Sequence, residues 1–374
     1  MACRRERPKV KLLIAGGGTG GHVFPAIAIA QEWLSRGKER EVVLVGTQRG
    51  IEIKLVPAAG LPLETIRVAG LKGKGGTTLL KNLVMLGTGL SDAFSVLKRH
   101  KPAVAFGVGG YAAGPMLLAT WLRGIPNVIF EPNAEPGLTN KLLARLAKRI
   151  ATGYEVSAQA WGARAVVTGC PVRPEFFAIT PSKPAKPFRL LVTGGSQGAL
   201  PINRAFVEAA ELLAKRKSEL EIVHQTGERD YNNVRAAYAR CKMQAEVAPF
   251  LANMAEHFAW ADMIVCRAGA ITAAEVAAAG RAAIFIPFGK ATDSHQLRNA
   301  QEMTNAGAGR LIGEPELNAE SLTKEIFSLL DQPGEIEKLG ANARRLAHPE
   351  AVREIVDLIE QAERRPSRKE LRGT

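Results

Sequence analysis

The run Val10-Lys11-Leu12-Leu13-Ile14-Ala15-Gly16-Gly17-Gly18-Thr19-Gly20-Gly21-His22 decides how this chain folds. An apolar stretch feeds a glycine turn and helix-like sequence follows, so it reads as strand, turn and helix. Such a turn sets bare N–H groups and the positive end of a helix against an anion, most often a phosphate. Leu190-Leu191-Val192-Thr193 leads in the same way into Gly194-Gly195-Ser196-Gln197-Gly198-Ala199. One such unit in each half implies two similar α/β domains facing a cleft that holds something phosphorylated.

Working outward, the composition agrees. At 374 residues the chain exceeds one ordinary core and suits two domains. A charged fraction of 23% beside 46% hydrophobic residues belongs to a water-soluble globular protein. No apolar run approaches the ~18–20 residues of a spanning helix. The N-terminal arginines precede an apolar run that is short, broken by Lys11 and without a cleavage site, so we read it as a first strand behind a basic arm. Cys3, Cys170, Cys241 and Cys266 are scattered without metal-type spacing, which suits free thiols in a reducing cytosol. The net charge of +14 gathers on the N-terminal half and the two ends. That asymmetry suits an anionic partner. Nucleic acid is disfavoured because the basic residues lack interleaved aromatics and no recognised module is present.

Strands are expected at Val10–Ala15, Val42–Val45, Ala103–Val108, Asn127–Phe130 and Arg149–Thr152, then at Arg189–Thr193, Glu221–Gln225, Ala245–Pro249, Met263–Cys266 and Ala283–Pro287. Their alternation with helical stretches is the pattern of parallel α/β architecture. The expected division is an N-terminal domain over 1–173, a proline-rich linker over 174–188, a C-terminal domain over 189–348, and a last segment, 349–374. That segment would carry a helix returning to the N-terminal domain and a basic tail.

Gly16, Gly18 and Gly21 satisfy G-x-G-x-x-G, yet Val42–Val45 runs into Gly46-Thr47 without the acid that would bind a dinucleotide's ribose. No glycine loop ends in Lys-Ser/Thr, so a Walker loop is absent. His22, at the mouth of the first loop, suits either a general base or a helix-start contact. Thr272 and Glu275 fit a Ser/Thr-x-x-Glu capping box, and the Glu275 carboxylate equally suits the paired hydroxyls of a ribose. Asp293, Ser294, His295, Gln296 and Asn299 form a polar cluster suited to sugar hydroxyls. Leu79, Leu80, Leu83, Val84, Leu86 and Leu90 lie near helical spacing among Lys72, Lys74 and Lys81. Such a face is core or a dock for an anionic membrane.

Together, Gly16–His22 with Val23-Phe24-Pro25, Gly107-Val108-Gly109-Gly110-Tyr111, Gly137-Leu138-Thr139-Asn140-Lys141, Gly194–Ala199 and Cys266-Arg267 with Gly269 through Glu275 resemble the MurG family of UDP-N-acetylglucosamine transferases, in glycosyltransferase family 28. The resemblance runs in order over nearly the whole chain. It implies the GT-B fold, two Rossmann-like doubly wound domains facing a central cleft, with the nucleotide sugar on the C-terminal domain. It implies inverting transfer of GlcNAc from UDP-GlcNAc to the MurNAc 4-hydroxyl of lipid I, yielding lipid II for peptidoglycan.

Carried over by motif, the resemblance gives Thr19, Gly20 and Gly21 to the donor sugar and diphosphate. Asn133, Arg173 and Ser196 match binding positions, Leu251 offers backbone to uracil, and Gln296 contacts GlcNAc. Ala270, Ile271, Thr272, Ala273, Ala274 and Glu275 hold diphosphate and ribose. His22 is the candidate base, with Glu131 a second candidate. No cofactor or metal is implied, magnesium being a stimulant rather than a participant. The expected location is peripheral, on the cytoplasmic face of the bacterial membrane, with the cell-wall and division machinery as partners. Another GT-B glycolipid synthase using a UDP-sugar is the alternative. Pro132, Cys170, Ala268 and His295 depart from the family's usual residues.

Overall fold

The structure is a computed structural model that describes residues 9–68, 76–181, 183–289 and 294–364, with the side chains of 76–86 and 294 outside that description. The basic arm and tail, Lys72, Lys74, the side chains of Leu79 to Leu86 and Asp293 therefore lie outside the described residues.

The chain divides into two compact units. Unit 1 comprises residues 1–132, 136–171 and 350–374, and unit 2 comprises 133–135 and 172–349. Unit 1 is built on strands β1 (Val10–Gly16), β2 (Arg40–Thr47), β3 (Leu63–Ile66), β4 (Val104–Gly109), β5 (Asn127–Glu131), β6 (Arg149–Thr152) and β7 (Ala165–Val167). Unit 2 is built on β8 (Phe188–Thr193), β9 (Leu220–Gln225), β10 (Ala245–Ala248), β11 (Met263–Cys266), β12 (Ala282–Phe285) and β13 (Arg310–Leu311). The orders are β3-β2-β1-β4-β5-β6-β7 and β10-β9-β8-β11-β12-β13. Pairing is parallel throughout, as in Leu12 opposite both Val42 and Val104. Each unit is thus a Rossmann-like doubly wound sheet.

Why the strand sequences are continuously apolar follows from this arrangement. Successive side chains point to opposite faces, and both faces of a parallel sheet lie under helices. On β8, Leu190 and Val192 enter one core layer with Ile202 and Phe206, while Leu191 enters the other with Phe258 and Val276. On β1, Leu13 and Ala15 pack with Val43, Val45, Val96 and Met116.

Three strands have no counterpart in the expected set: β3, β7 and β13. All are sheet edges, short and only partly buried, so no apolar run marks them. The stretch expected as a linker contains a helical turn, Pro174–Phe177, and its Phe176 is fully buried edge-on to Phe258, 5.1 Å between centroids. Helix Ala351–Glu363 packs within unit 1 against helix Gly20–Ser35. Arg36 meets Asp357 at 2.5 Å, Arg40 meets Glu360 at 2.9 Å, and Lys148 Nζ donates to the Ala362 carbonyl at 2.8 Å. Among the described residues no helix is long and apolar enough to cross a membrane.

Candidate functional site

In an open parallel sheet, ligands bind beyond the C-terminal strand ends where the order reverses. That point lies between β1 and β4 in unit 1 and between β8 and β11 in unit 2. Both glycine loops sit at these points, one after β1 and the other after β8.

In unit 1 the chain leaves β1 through Gly17 and Gly18, and helix Gly20–Ser35 starts with Thr19 as N-cap. The loop after β4 packs directly against it. A Cβ on Gly110, whose φ is +80°, would lie 2.3 Å from the Gly17 carbonyl oxygen. One on Gly109, φ +95°, would lie 3.0 Å from His22 Nε2. Glycine is required at both. The half-buried His22 ring therefore lies over the Gly109 backbone, with Nδ1 3.4 Å from Thr19 Oγ1. Burial, the largest influence, lowers its pKa, opposed by a hydrogen bond to the Gly17 backbone and by the charges of Glu131 and Glu52. His22 is thus neutral at neutral pH and able to accept a proton.

Glu131, at the end of β5, is buried. Its Oε2 accepts from the Gly137 N–H at 3.0 Å and from Asn140 Nδ2 at 2.9 Å. The Gly137–Lys141 motif thus anchors this carboxylate in place.

In unit 2, helix Ala270–Ala279 starts immediately after β11 and its loop. Gly269 is the N-cap in extended conformation, and no side chain caps the end. The first-turn N–H groups point outward, as an anion site requires. This corrects the capping-box expectation: Thr272 is the third residue of the helix rather than its cap, because the small loop ends at Gly269. Glu275 lies one turn on, with Arg173 Nη2 3.5 Å from its Oε1. Burial raises the Glu275 pKa to about 7, partly offset by Arg173.

Around this helix end the other groups fall into place. Ser196 is exposed at the tip of the second loop. Gln225, at the end of β9, donates from Nε2 to the Gly195 carbonyl at 2.7 Å and accepts the Leu251 N–H at 3.1 Å. The Leu251 N–H is therefore engaged within the protein, which restricts the expected backbone contact to uracil to the carbonyl side. Buried Asn299 accepts the Ala134 N–H at 2.9 Å and donates to Asn133 Oδ1 at 3.2 Å and to the Ala268 carbonyl at 3.1 Å. Gln296 Oε1 accepts the Phe288 N–H at 3.0 Å, and His295 Nδ1 lies 2.8 Å from the Glu135 carbonyl.

The sequence matches the family model described as glycosyltransferase family 28 N-terminal domain over residues 12–152 and the C-terminal domain model over 189–358. It is 46% identical to the UDP-N-acetylglucosamine--N-acetylmuramyl-(pentapeptide) pyrophosphoryl-undecaprenol N-acetylglucosamine transferase of Geotalea uraniireducens, over 93% of this chain and 97% of that one. The enzyme of the same description from Myxococcus xanthus is 44% identical, over 93% and 92%. The crystal structure of Acinetobacter baumannii MurG superposes with a TM-score of 0.76 at 33% identity, covering 95% of this chain and all of that one. The chain belongs to the MurG family. A Staphylococcus aureus MnaA–UDP structure, at 14% identity and a TM-score of 0.68, shares the fold alone.

Within the MurG family frame, unit 1 carries Thr19, Gly20, Gly21, His22 and Glu131. Unit 2 carries Asn133, Arg173, Ser196, Leu251, the run Ala270 to Glu275, and Gln296. Asn299, read from the sequence as one of a polar cluster suited to sugar hydroxyls, is instead fully buried and bonded within the protein. Three residues escaped the sequence reading. Gln225 braces the loops of unit 2. Arg267, from the Cys-Arg motif, turns inward to the Ile286 and Pro287 carbonyls and to Glu314. Glu52 reaches the first loop itself. The signal for Gln225 was present: a polar residue closing a buried strand beside a glycine loop. Among the described residues no cluster of His, Cys, Asp and Glu is suited to a metal ion.

Proposed function

We propose that this chain transfers GlcNAc from UDP-GlcNAc to the 4-hydroxyl of undecaprenyl-pyrophosphoryl-MurNAc-pentapeptide, converting lipid I to lipid II with inversion at the anomeric carbon. The observation that carries this reading is the uncapped N-terminus of helix Ala270–Ala279 with Glu275 one turn inside it. Negative charge grows on the diphosphate as the glycosidic bond breaks, and fixed N–H donors with a helix end stabilise it without reorganisation. Glu275 accepts from the ribose hydroxyls with Arg173 beside it. Ser196 meets the diphosphate, Leu251 the uracil, and Asn133 and Gln296 the sugar.

His22 takes the proton of the acceptor hydroxyl as that oxygen attacks C1, and UDP departs. Its neutral ring suits the task. Glu131, anchored by Gly137 and Asn140, favours the imidazolium that forms rather than receiving the proton itself. The net charge of +14 supports peripheral attachment to the anionic cytoplasmic surface of the membrane, beside the cell-wall and division machinery.

Incubating purified protein with UDP-GlcNAc and lipid I, then weighing the product, tests this. A gain of one N-acetylhexosamine on the lipid with release of UDP is expected. Release of UDP without a glycosylated lipid would overturn the acceptor assignment.

A further inference from the structure

The first glycine loop reads as a phosphate cradle, yet it already contains an anion. Glu52, in the first turn of helix Glu52–Ala58, is 1% exposed. Its Oε2 accepts the Gly18 N–H at 2.9 Å, and its Oε1 accepts the Thr47 N–H at 2.8 Å and the Thr47 hydroxyl at 3.0 Å. Three glycines make room for the carboxylate. A Cβ on Gly17, Gly46 or Gly50 would come within 2.3, 2.6 or 1.8 Å of its atoms. A buried charge this closely wrapped is costly unless its bonds are needed.

We infer that Glu52 is a positioning residue, an internal anion that fixes the Gly17–Gly18 turn and through it the placement of His22 for catalysis. The turn is what His22 rests on: Gly110 packs against the Gly17 backbone, and the adjoining Gly109 backbone lies against the His22 ring. Glu52 thereby does for this loop what a bound phosphate does for a dinucleotide fold. In the second loop the corresponding bond goes to a neutral group: Gly195 N–H donates to the Thr193 hydroxyl at 3.2 Å. The two glycine loops are therefore chemically distinct, one filled from within and one left to a ligand. Burial alone would raise the Glu52 pKa, but the hydrogen bonds from Gly18 and Thr47 outweigh it and keep the group ionised. The charges facing His22 are Glu131, from β5, and Glu52, and both favour the protonated ring.

The inference deepens the transfer reading and rests on it, so its test carries a readout independent of turnover. In Glu52→Gln the amide oxygen can still serve Thr47, but the amide nitrogen then opposes the Gly18 N–H, donor against donor. Histidine NMR titration of the full chain should show the His22 midpoint at lower pH than in the native protein, since one of its two facing carboxylates is gone. Lipid II synthesis should fall by about 10-fold or more in kcat. Val96→Ala, a core truncation in unit 1 away from the loop, supplies a comparable loss of stability without these changes. A Glu52→Gln titration superimposing on the native His22 curve would overturn the inference, as would equal kcat losses in Glu52→Gln and Val96→Ala. Absence of lipid II synthesis by the native protein would instead sink the transfer reading and leave the titration to decide the loop.

Discussion

Arg173 Nη2 lies 3.5 Å from Glu275 Oε1, an ion pair that burial keeps incomplete. The carboxyl titrates near neutrality, at about 7, because desolvation outweighs the arginine. A carboxylate accepts both ribose hydroxyls, whereas the protonated acid cannot do so fully. Donor binding should therefore weaken as pH falls through about 7 and level off at the affinity a neutral side chain supports. UDP-GlcNAc is the right probe, because its diphosphate diester does not titrate there. Calorimetry across this range should show the slope in the native protein and a flat, weaker profile in Glu275→Gln. The sign for folding is opposite: the raised pKa contributes stability below the ordinary carboxylate pKa, which is lost as pH rises through about 7.

A second prediction concerns Gln225, which ties the Gly195 carbonyl to the Leu251 N–H through one side chain. Gln225→Leu preserves bulk but leaves the buried Leu251 N–H unpaired, at about 1–3 kcal/mol, and leaves the Gly195 carbonyl only its bond from the Gly198 N–H. Because the phosphate loop and the uracil segment lose their common brace, affinity for UDP should drop by at least about 10-fold. Thermal unfolding should shift down as well. A variant that loses stability yet binds UDP with native affinity would show the two segments to be positioned independently.

How much of this was legible in the sequence depended on burial. Both sheets could be read because their central strands are covered on both faces, so Leu12 to Ala15 and Leu190 to Val192 appear as unbroken apolar runs. The edges β3, β7 and β13 could not, since partial exposure removes the run. Glycine loops stood out because close backbone approach forbids a side chain, as at Gly110. Glu52, and the bracing role of Asn299 that the reading as a sugar contact did not include, were hidden for a different reason. Each acts across 34 and 165 residues of sequence respectively, on Gly18 and on Ala134, and no local pattern encodes such a pairing. Thr272 misled because Ser/Thr-x-x-Glu marks a cap only where the helix begins at the threonine, and here it begins at Ala270.

Asn299 gives a third prediction. Its side chain serves Asn133, Ala134 and the Ala268 carbonyl while fully buried. Asn299→Ala strips all three and opens a small polar cavity, so a loss of about 2–4 kcal/mol in unfolding free energy is expected. Asn133 should lose its orientation with it. KM for UDP-GlcNAc should then rise while binding of UDP, which lacks the sugar, changes little. Denaturant unfolding and the paired affinities check both halves.

His22 carries the last prediction. Its Nε2 sits over Gly109, its Nδ1 lies 3.4 Å from Thr19 Oγ1, and burial lowers its pKa. A general base must be unprotonated, so kcat at saturating UDP-GlcNAc, where the Glu275 limb of donor binding drops out, should fall on the acid side with a midpoint below the ordinary histidine value of about 6.5. His22→Ala should abolish that limb and lower kcat by about 100- to 10,000-fold, the usual share of general-base catalysis. UDP-GlcNAc affinity should stay native. If His22→Ala instead turned over normally, the proton would have another acceptor, and Glu131→Gln would be the next measurement. If only donor affinity fell, the imidazole would be a phosphate contact, because a base acts on the acceptor hydroxyl and has no share in holding the nucleotide. Gly109→Ala supplies the geometric counterpart: its methyl would displace the ring while leaving the imidazole in the protein. It should reproduce the loss in kcat and, by exposing the ring to water, move the acid limb upward toward the ordinary value.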